Sequence, residues 1–214
     1  MSNDFYYSIS LPSNLEEGRK YPVIYAMHGR GSSENDIVSL LLALKEDYII
    51  IGIRGALVLN SGFQYFTIKS IGNPDLDSLE NAVESLEKFI AEVQAEYPID
   101  PSRQFLFGFS QGAILAMVLS LKMGSNVKGI AALNGYIPKH YKEKFSGKSL
   151  DGTSVFIGHG ERDQIFPISI GQENYDYFNE KTESVTYKVY PIGHSVSQEE
   201  KNDVVEWFRL RAKN

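Results

Sequence analysis

Short apolar runs rich in Val, Ile, Phe and Tyr recur along the chain at 22–27, 48–53, 104–108, 127–133, 154–158 and 185–190. They are nearly continuous rather than alternating, which predicts strands buried on both faces. Between them lie longer stretches at 34–46, 75–96, 111–122, 168–182 and 197–212, each read as a surface helix with one polar face. Strands that alternate with helices specify an α/β fold, with a mostly parallel central sheet and helices on both of its faces. The segment from Asp4 to Leu11, before the turn Pro12-Ser13-Asn14, is expected as an antiparallel edge strand. Pro98 and Pro101 force a break between the long helix and the strand at 104. That helix follows Asn73-Pro74 and carries Asp75 and Asp77 near its positive end. Two connections are long: 54–73, with Phe63, Tyr65 and Phe66, and 134–153, with Lys139, His140, Lys142, Lys144 and Lys148. Long loops in small domains commonly carry function.

Length and composition narrow the classes. A chain of 214 residues, without repeats, low-complexity tracts or Ser/Gly linkers, is expected to form one domain spanning 1–214. Its net charge of -6 disfavours a general nucleic-acid binder, which needs a basic face to neutralise phosphates. There are no cysteines, so disulfides, thiol nucleophiles and thiolate metal sites are excluded. The opening Met1-Ser2-Asn3-Asp4 has neither the basic stretch nor the apolar run of a secretory leader, and no apolar run is long enough to span a bilayer. A cytoplasmic location without membrane insertion is the expectation.

The segment Phe105-Leu106-Phe107-Gly108-Phe109-Ser110-Gln111-Gly112-Ala113-Ile114 reads as a strand, then G-x-S-x-G, then a helix. That context is the nucleophile elbow, in which a serine sits on a strained turn and projects its hydroxyl above the sheet. The competing reading is a serine that merely caps a helix. As a nucleophile, Ser110 needs a base, and the base an orienting carboxylate. Of the four histidines, His194 follows the last predicted strand at the end where such sheets open to ligands. His159 closes the strand at 154–158 and His140 lies on the basic loop, so His194 is the candidate base. For the acid, Glu161 and Asp163 both qualify by type. Asp163 is preferred because the Ile165-Phe166-Pro167 run that follows can bury it beside an imidazole, although an aspartate there also suits a turn. The order Ser, Asp, His along the chain is that of the α/β-hydrolases.

A second oxyanion donor is expected after an early strand. His28-Gly29-Arg30-Gly31 follows the run at 22–27, and the backbone N–H of Arg30 joins that of Gln111 as the candidate pair. His28 is read as fixing that loop rather than as a catalyst. Neither a phosphate-binding loop nor a dinucleotide fingerprint is present, and the histidines and carboxylates lack metal-ligand spacing. No cofactor or metal is implied.

With these residues the chain resembles the phospholipase/carboxylesterase family of α/β-hydrolases, which includes acyl-protein thioesterases. Five blocks carry the resemblance: His28-Gly29-Arg30-Gly31 with Asp36; Gly108-Phe109-Ser110-Gln111-Gly112; Leu133-Asn134-Gly135-Tyr136-Ile137-Pro138; Gly158-His159-Gly160 with Asp163 and Pro167; and Tyr190 with Gly193-His194. It implies an α/β-hydrolase fold without a large cap domain. It also implies a serine hydrolase of small-molecule carboxylic esters, thioesters or lysophospholipids, acting on a Ser110-His194-Asp163 triad, and a homodimer formed through an apolar rim. Three departures bear on substrate preference. Arg30 stands where the family commonly has an apolar residue, Phe66 where many members have Trp, and Asn134 where the family has Ser. Phe63, Tyr65 and Phe66 are the candidate substrate wall, and Arg30 with the lysine-bearing loop is a candidate attraction for acidic groups. Rival readings are acyl transfer to an acceptor other than water and a non-catalytic binding protein on the same scaffold.

Overall fold

The computed structural model describes residues 5–212. Seven strands form the central sheet: β1 (Tyr7–Ser10), β2 (Tyr21–Met27), β3 (Ile49–Ile53), β8 (Ile99–Phe109), β9 (Gly129–Leu133), β10 (Ser154–Gly160) and β11 (Val185–Tyr190). Their order is β1-β3-β2-β8-β9-β10-β11. Only β1 runs antiparallel, pairing Tyr7 with Ile53 through Ser10 with Ile50. The expected edge strand is therefore present, although Asp4 lies outside the described residues. Two small ribbons, β4 (Leu57–Leu59) with β5 (Gly62–Gln64) and β6 (Ile68–Ser70) with β7 (Asn73–Pro74), organise what the sequence presented as the loop 54–73.

Each buried strand feeds two cores by simple alternation. Val23, Tyr25 and Met27 of β2 face one cluster, and Ile24 and Ala26 face the other. Likewise Ile49, Ile51 and Ile53 of β3 oppose Ile50, and Leu106 of β8 opposes Phe105 and Phe107. The first cluster is closed by α2 (Leu76–Glu96) and α3 (Gln111–Met123), and α5 (Ile168–Asn179) adds Phe178. The second is closed by α1 (Glu34–Ser39) and by Val204, Val205, Trp207 and Phe208 of α6 (Gln198–Ala212). A sixth helix, α4 (Lys139–Lys144), shortens the 134–153 connection.

Three expectations change. The sequence 111–122 was expected to show a polar face, yet every residue of α3 from Gln111 to Leu121 is buried, because the helix packs on β8, β9 and β2 and also meets α2. A helix enclosed in this way is apolar all round. The 34–46 helix ends at Ser39 and resumes as a tighter turn over Leu42–Leu44. That tightening brings Leu41 and Leu44, both fully buried, onto one side. Finally, β8 begins at Ile99 rather than 104: Ile99 pairs with Tyr21, the register shifts, and Gln104 pairs with Val23. Asp100 stabilises the bulge by accepting from Ser102 N–H at 2.9 Å and from Arg103 Nε at 2.7 Å.

The long helix begins where its sequence says it should. The Asp75 carboxylate accepts from Ser78 N–H at 3.0 Å, a cap worth about 1 kcal/mol. Its buried Leu79, Val83, Leu86, Ile90 and Val93 repeat at three- and four-residue spacing. Among the described residues no helix is long and apolar enough to cross a membrane.

Candidate active site

The C-terminal ends of β2, β8, β10 and β11 converge on one cleft. Ser110 joins β8 to α3 with φ 54° and ψ -114°, a conformation a residue with a side chain adopts only under strain. The flanking glycines are dictated by contact. A Cβ on Gly108 would lie 2.1 Å from the carbonyl oxygen of Gly112, and one on Gly112 would lie 1.9 Å from that of Met27. The turn is held by Ser110 N–H donating to Leu133 O at 2.9 Å.

His194, on the loop after β11, accepts from the Ser110 hydroxyl through Nε2 at 2.8 Å. Its Nδ1–H donates to Asp163 Oδ2 at 2.7 Å. The Asp163 side chain is wholly buried, whereas that of His194 is 19% exposed toward the cleft. The other oxygen of Asp163 accepts from the N–H groups of Ile165 and Phe166 at 2.8 and 2.9 Å. The two readings of this aspartate thus coexist: one oxygen builds the turn, and the turn aims the other at the imidazole. The imidazole lies between Phe109, at 5.1 Å between ring centroids, and Phe166, at 5.5 Å. His159 is buried and donates from Nε2 to Phe166 O at 2.8 Å, so it buttresses the aspartate turn.

Arg30 and Gln111 line the same cleft as Ser110. Gln111 opens α3, where the first N–H groups have no partner within the helix. In the turn after β2, Gly31 N–H donates to Phe63 O at 2.7 Å and Ser32 N–H to Gly29 O at 3.1 Å, and among the described residues the Arg30 N–H has no such acceptor. Behind this turn His28 is buried, which pushes its pKa down. It donates from Nδ1 to Gly29 O at 2.7 Å and accepts at Nε2 from Gly55 N–H at 3.0 Å. Glu34 is held below the usual carboxylate range by Arg54, which meets both of its oxygens at 2.7 and 2.5 Å.

The aromatic wall needs correction. Phe66 lines the cleft; Phe63 and Tyr65 do not. Phe63 lies under the Arg54 guanidinium at 4.5 Å while its backbone pins Gly31 and Ser32. Tyr65 is turned inward, accepting from His28 N–H at 3.0 Å and donating to Ile53 O at 2.6 Å. Both support the Arg30 turn. The apolar lining comes instead from Ile68, Ile71, Ile114, Ile165 and Phe166, with Tyr136 beside them, around a cavity of about 240 Å³. The lysine-bearing segment does not form a basic rim. Lys139, Lys142 and Lys144 pair with Glu143, Glu173 and Glu80, and Lys148 donates to Lys122 O.

The sequence named Gln111 for its backbone amide and Asn134 as a departure from the family pattern, but not what their side chains do. The Gln111 amide accepts from Tyr65 N–H at 2.8 Å and donates to Phe66 O at 2.9 Å, tying the start of α3 to the cleft wall. Asn134, at φ 51°, is fully buried; its Oδ1 accepts from Gly160 N–H at 2.7 Å and its Nδ2 donates to Ser195 O at 2.8 Å. The one signal for Asn134 was its departure from serine in an otherwise matching block.

A parallel sheet with Ser, Asp and His gathered at its carboxyl ends, in that chain order, defines the α/β-hydrolase class. The chain belongs to the phospholipase/carboxylesterase family, whose model matches residues 15–211, and it is an ester hydrolase by class. Among curated relatives, a Bacillus subtilis protein named MhqD is 27% identical over 194 residues, covering 91% of this chain and 96% of that one. Acyl-protein thioesterase 1 of Saccharomyces cerevisiae is 31% identical over 145 residues, covering 65% of this chain and 63% of that one. The same architecture occurs in the Bacillus cereus carboxylesterase, with a TM-score of 0.83 at 24% identity over 97% of this chain and 94% of that one.

Proposed function

We propose that the protein hydrolyses short-chain carboxylic esters or thioesters through an acyl-enzyme on Ser110. The observation that carries this reading is the unbroken chain of hydrogen bonds from Ser110 Oγ through His194 to the buried Asp163 carboxylate, at 2.8 and 2.7 Å. His194 takes the hydroxyl proton as Oγ attacks the carbonyl carbon. Asp163 fixes the tautomer with its proton on Nδ1 and stabilises the imidazolium that forms. The N–H groups of Arg30 and Gln111 receive the developing oxyanion, aided by the positive end of α3. His194 then protonates the departing alcohol or thiol, and a water follows the same route to release the acid.

The cleft divides at the imidazole. On the Phe166 side lies the apolar cavity of Phe66, Ile68, Ile71, Ile114 and Ile165, suited to an acyl group of modest length. On the Phe109 side a groove lined by Ile37, Leu40 and Val196 leads away from His194, which suits the leaving group. Among the described residues no cap domain covers the cleft, so water has access to the acyl-enzyme.

Mixing enzyme with an excess of a short-chain aryl ester should release close to one equivalent of phenol in a burst, with the acyl mass on the Ser110 peptide. Absence of both the burst and steady turnover would favour the binding-protein reading. Ester product in place of acid at low added alcohol would favour acyl transfer.

A further inference from the structure

We infer that Arg30 selects acyl groups that end in a carboxylate, making monoesters or thioesters of dicarboxylic acids the preferred substrate class. The inference rests on the hydrolase reading above and on the acyl group occupying the cavity beside Phe166. Arg30 is the one Lys, Arg, Asp or Glu among the described residues that line that cavity; beside Ser110, Gln111 and His194 the wall is mostly apolar, and the Asp163 carboxylate is sealed behind His194. The guanidinium is anchored rather than loose. Its Nε donates to Oε1 of the buried Gln64 at 3.0 Å, and neither terminal nitrogen meets a carboxylate among the described residues.

Arg19, Arg54, Arg103 and Arg209 each meet a carboxylate, whereas Arg30, like Arg162 and Arg211, meets none among the described residues, and of these three only Arg30 lines the cavity. In a chain of net charge -6, the cleft thus presents one uncompensated cation whose planar fork matches a carboxylate in bidentate geometry. Charge also assigns the side. The groove toward Phe109 has Asp36 on its wall and no arginine, so an anionic leaving group is disfavoured there. With the Arg30 amide assigned to the oxyanion, its side chain starts beside the reacting carbonyl and reaches only a few bonds along the acyl chain.

The test compares hydrolysis of monoethyl adipate and ethyl heptanoate, followed by proton release at constant pH, for wild type, Arg30→Met and Gln64→Leu. The readout is the ratio of kcat/KM for the anionic over the neutral ester, which a general loss at the Arg30 amide leaves unaffected. The wild-type ratio should exceed one and shrink with added salt. It should fall about tenfold or more in Arg30→Met and by less in Gln64→Leu, chiefly through KM. Equal ratios in wild type and Arg30→Met overturn the inference while leaving the hydrolase reading intact. A preference seen only when the carboxylate is on the alcohol side overturns the acyl assignment. Failure to hydrolyse either ester, together with no labelling by a fluorophosphonate, overturns the underlying reading and this inference with it.

Discussion

The side-chain amide of Asn134 donates to the backbone carbonyl of Ser195 at 2.8 Å, so the residue just after β9 holds the residue that follows His194. The same side chain receives Gly160 N–H at 2.7 Å, at the end of the strand that carries Asp163. One buried amide thereby ties together the loops that bear Asp163 and His194. Asn134→Asp keeps the acceptor for Gly160 and sets an oxygen against the Ser195 carbonyl. It should lower kcat about ten- to a hundredfold with KM little changed, since small misplacements of a general base are costly. A merely structural role would not shift or broaden the low-field Nδ1 proton resonance of His194; this account expects that it does.

Ser110 stores strain that its own replacement can reveal. Ser110→Ala and Ser110→Gly should both abolish turnover, but they should differ in stability. At φ 54° a glycine relieves the strain that alanine retains, so Ser110→Gly should be the more stable by about 1 kcal/mol in urea denaturation. Equal stability of the two would mean the turn is not strained.

Gln111 illustrates a side chain whose weight lies away from its candidate amide. Gln111→Leu leaves Tyr65 N–H and Phe66 O buried without partners, each costing roughly 1–3 kcal/mol. The melting temperature should drop by several degrees and Km for neutral esters should rise as the Phe66 wall loosens. Glu in its place keeps one acceptor and loses the donor, and should fall between.

Glu200 should make stability fall as pH rises. Its carboxyl is fully buried at the start of α6, close against Gly158, and neither oxygen has a partner among the described side chains and backbone. Burial, with the Asp203 charge adding to it, pushes its pKa up to about 8. A carboxyl whose folded pKa exceeds its unfolded one binds its proton more tightly when folded. Its contribution is therefore fully present below the unfolded pKa, and is lost progressively as pH rises through that value toward about 8. Glu200→Gln should flatten this decline, gaining a few kcal/mol over wild type at pH 9 and little at pH 4. Parallel stability curves for the two proteins would contradict it.

Much of this was legible before any coordinates. The alternation of apolar runs with helices gave the layers, because a strand buried on both faces leaves no polar position to hide it. The Gly108 and Gly112 spacing located the elbow, since no other residue fits against the carbonyls they meet. What resisted reading was side-chain direction. Phe63, Tyr65 and Phe66 are three aromatics within four residues, with the same composition signal. Only the β4–β5 ribbon decides that the first lies on Arg54, the second points to Ile53 O and the third faces the cleft. The lysines of 139–148 looked like a basic loop because their partners, Glu80 and Glu173, are distant in sequence.

The central claim is that Ser110 is activated through His194. Intact-mass measurement after treatment with a fluorophosphonate tests it most directly, on wild type, Ser110→Ala and His194→Ala. The account predicts one phosphonyl adduct per chain, mapped to the Ser110 peptide, absent from Ser110→Ala and strongly slowed in His194→Ala. A folded wild-type protein that takes up no label, or that labels as fast without His194, would contradict it.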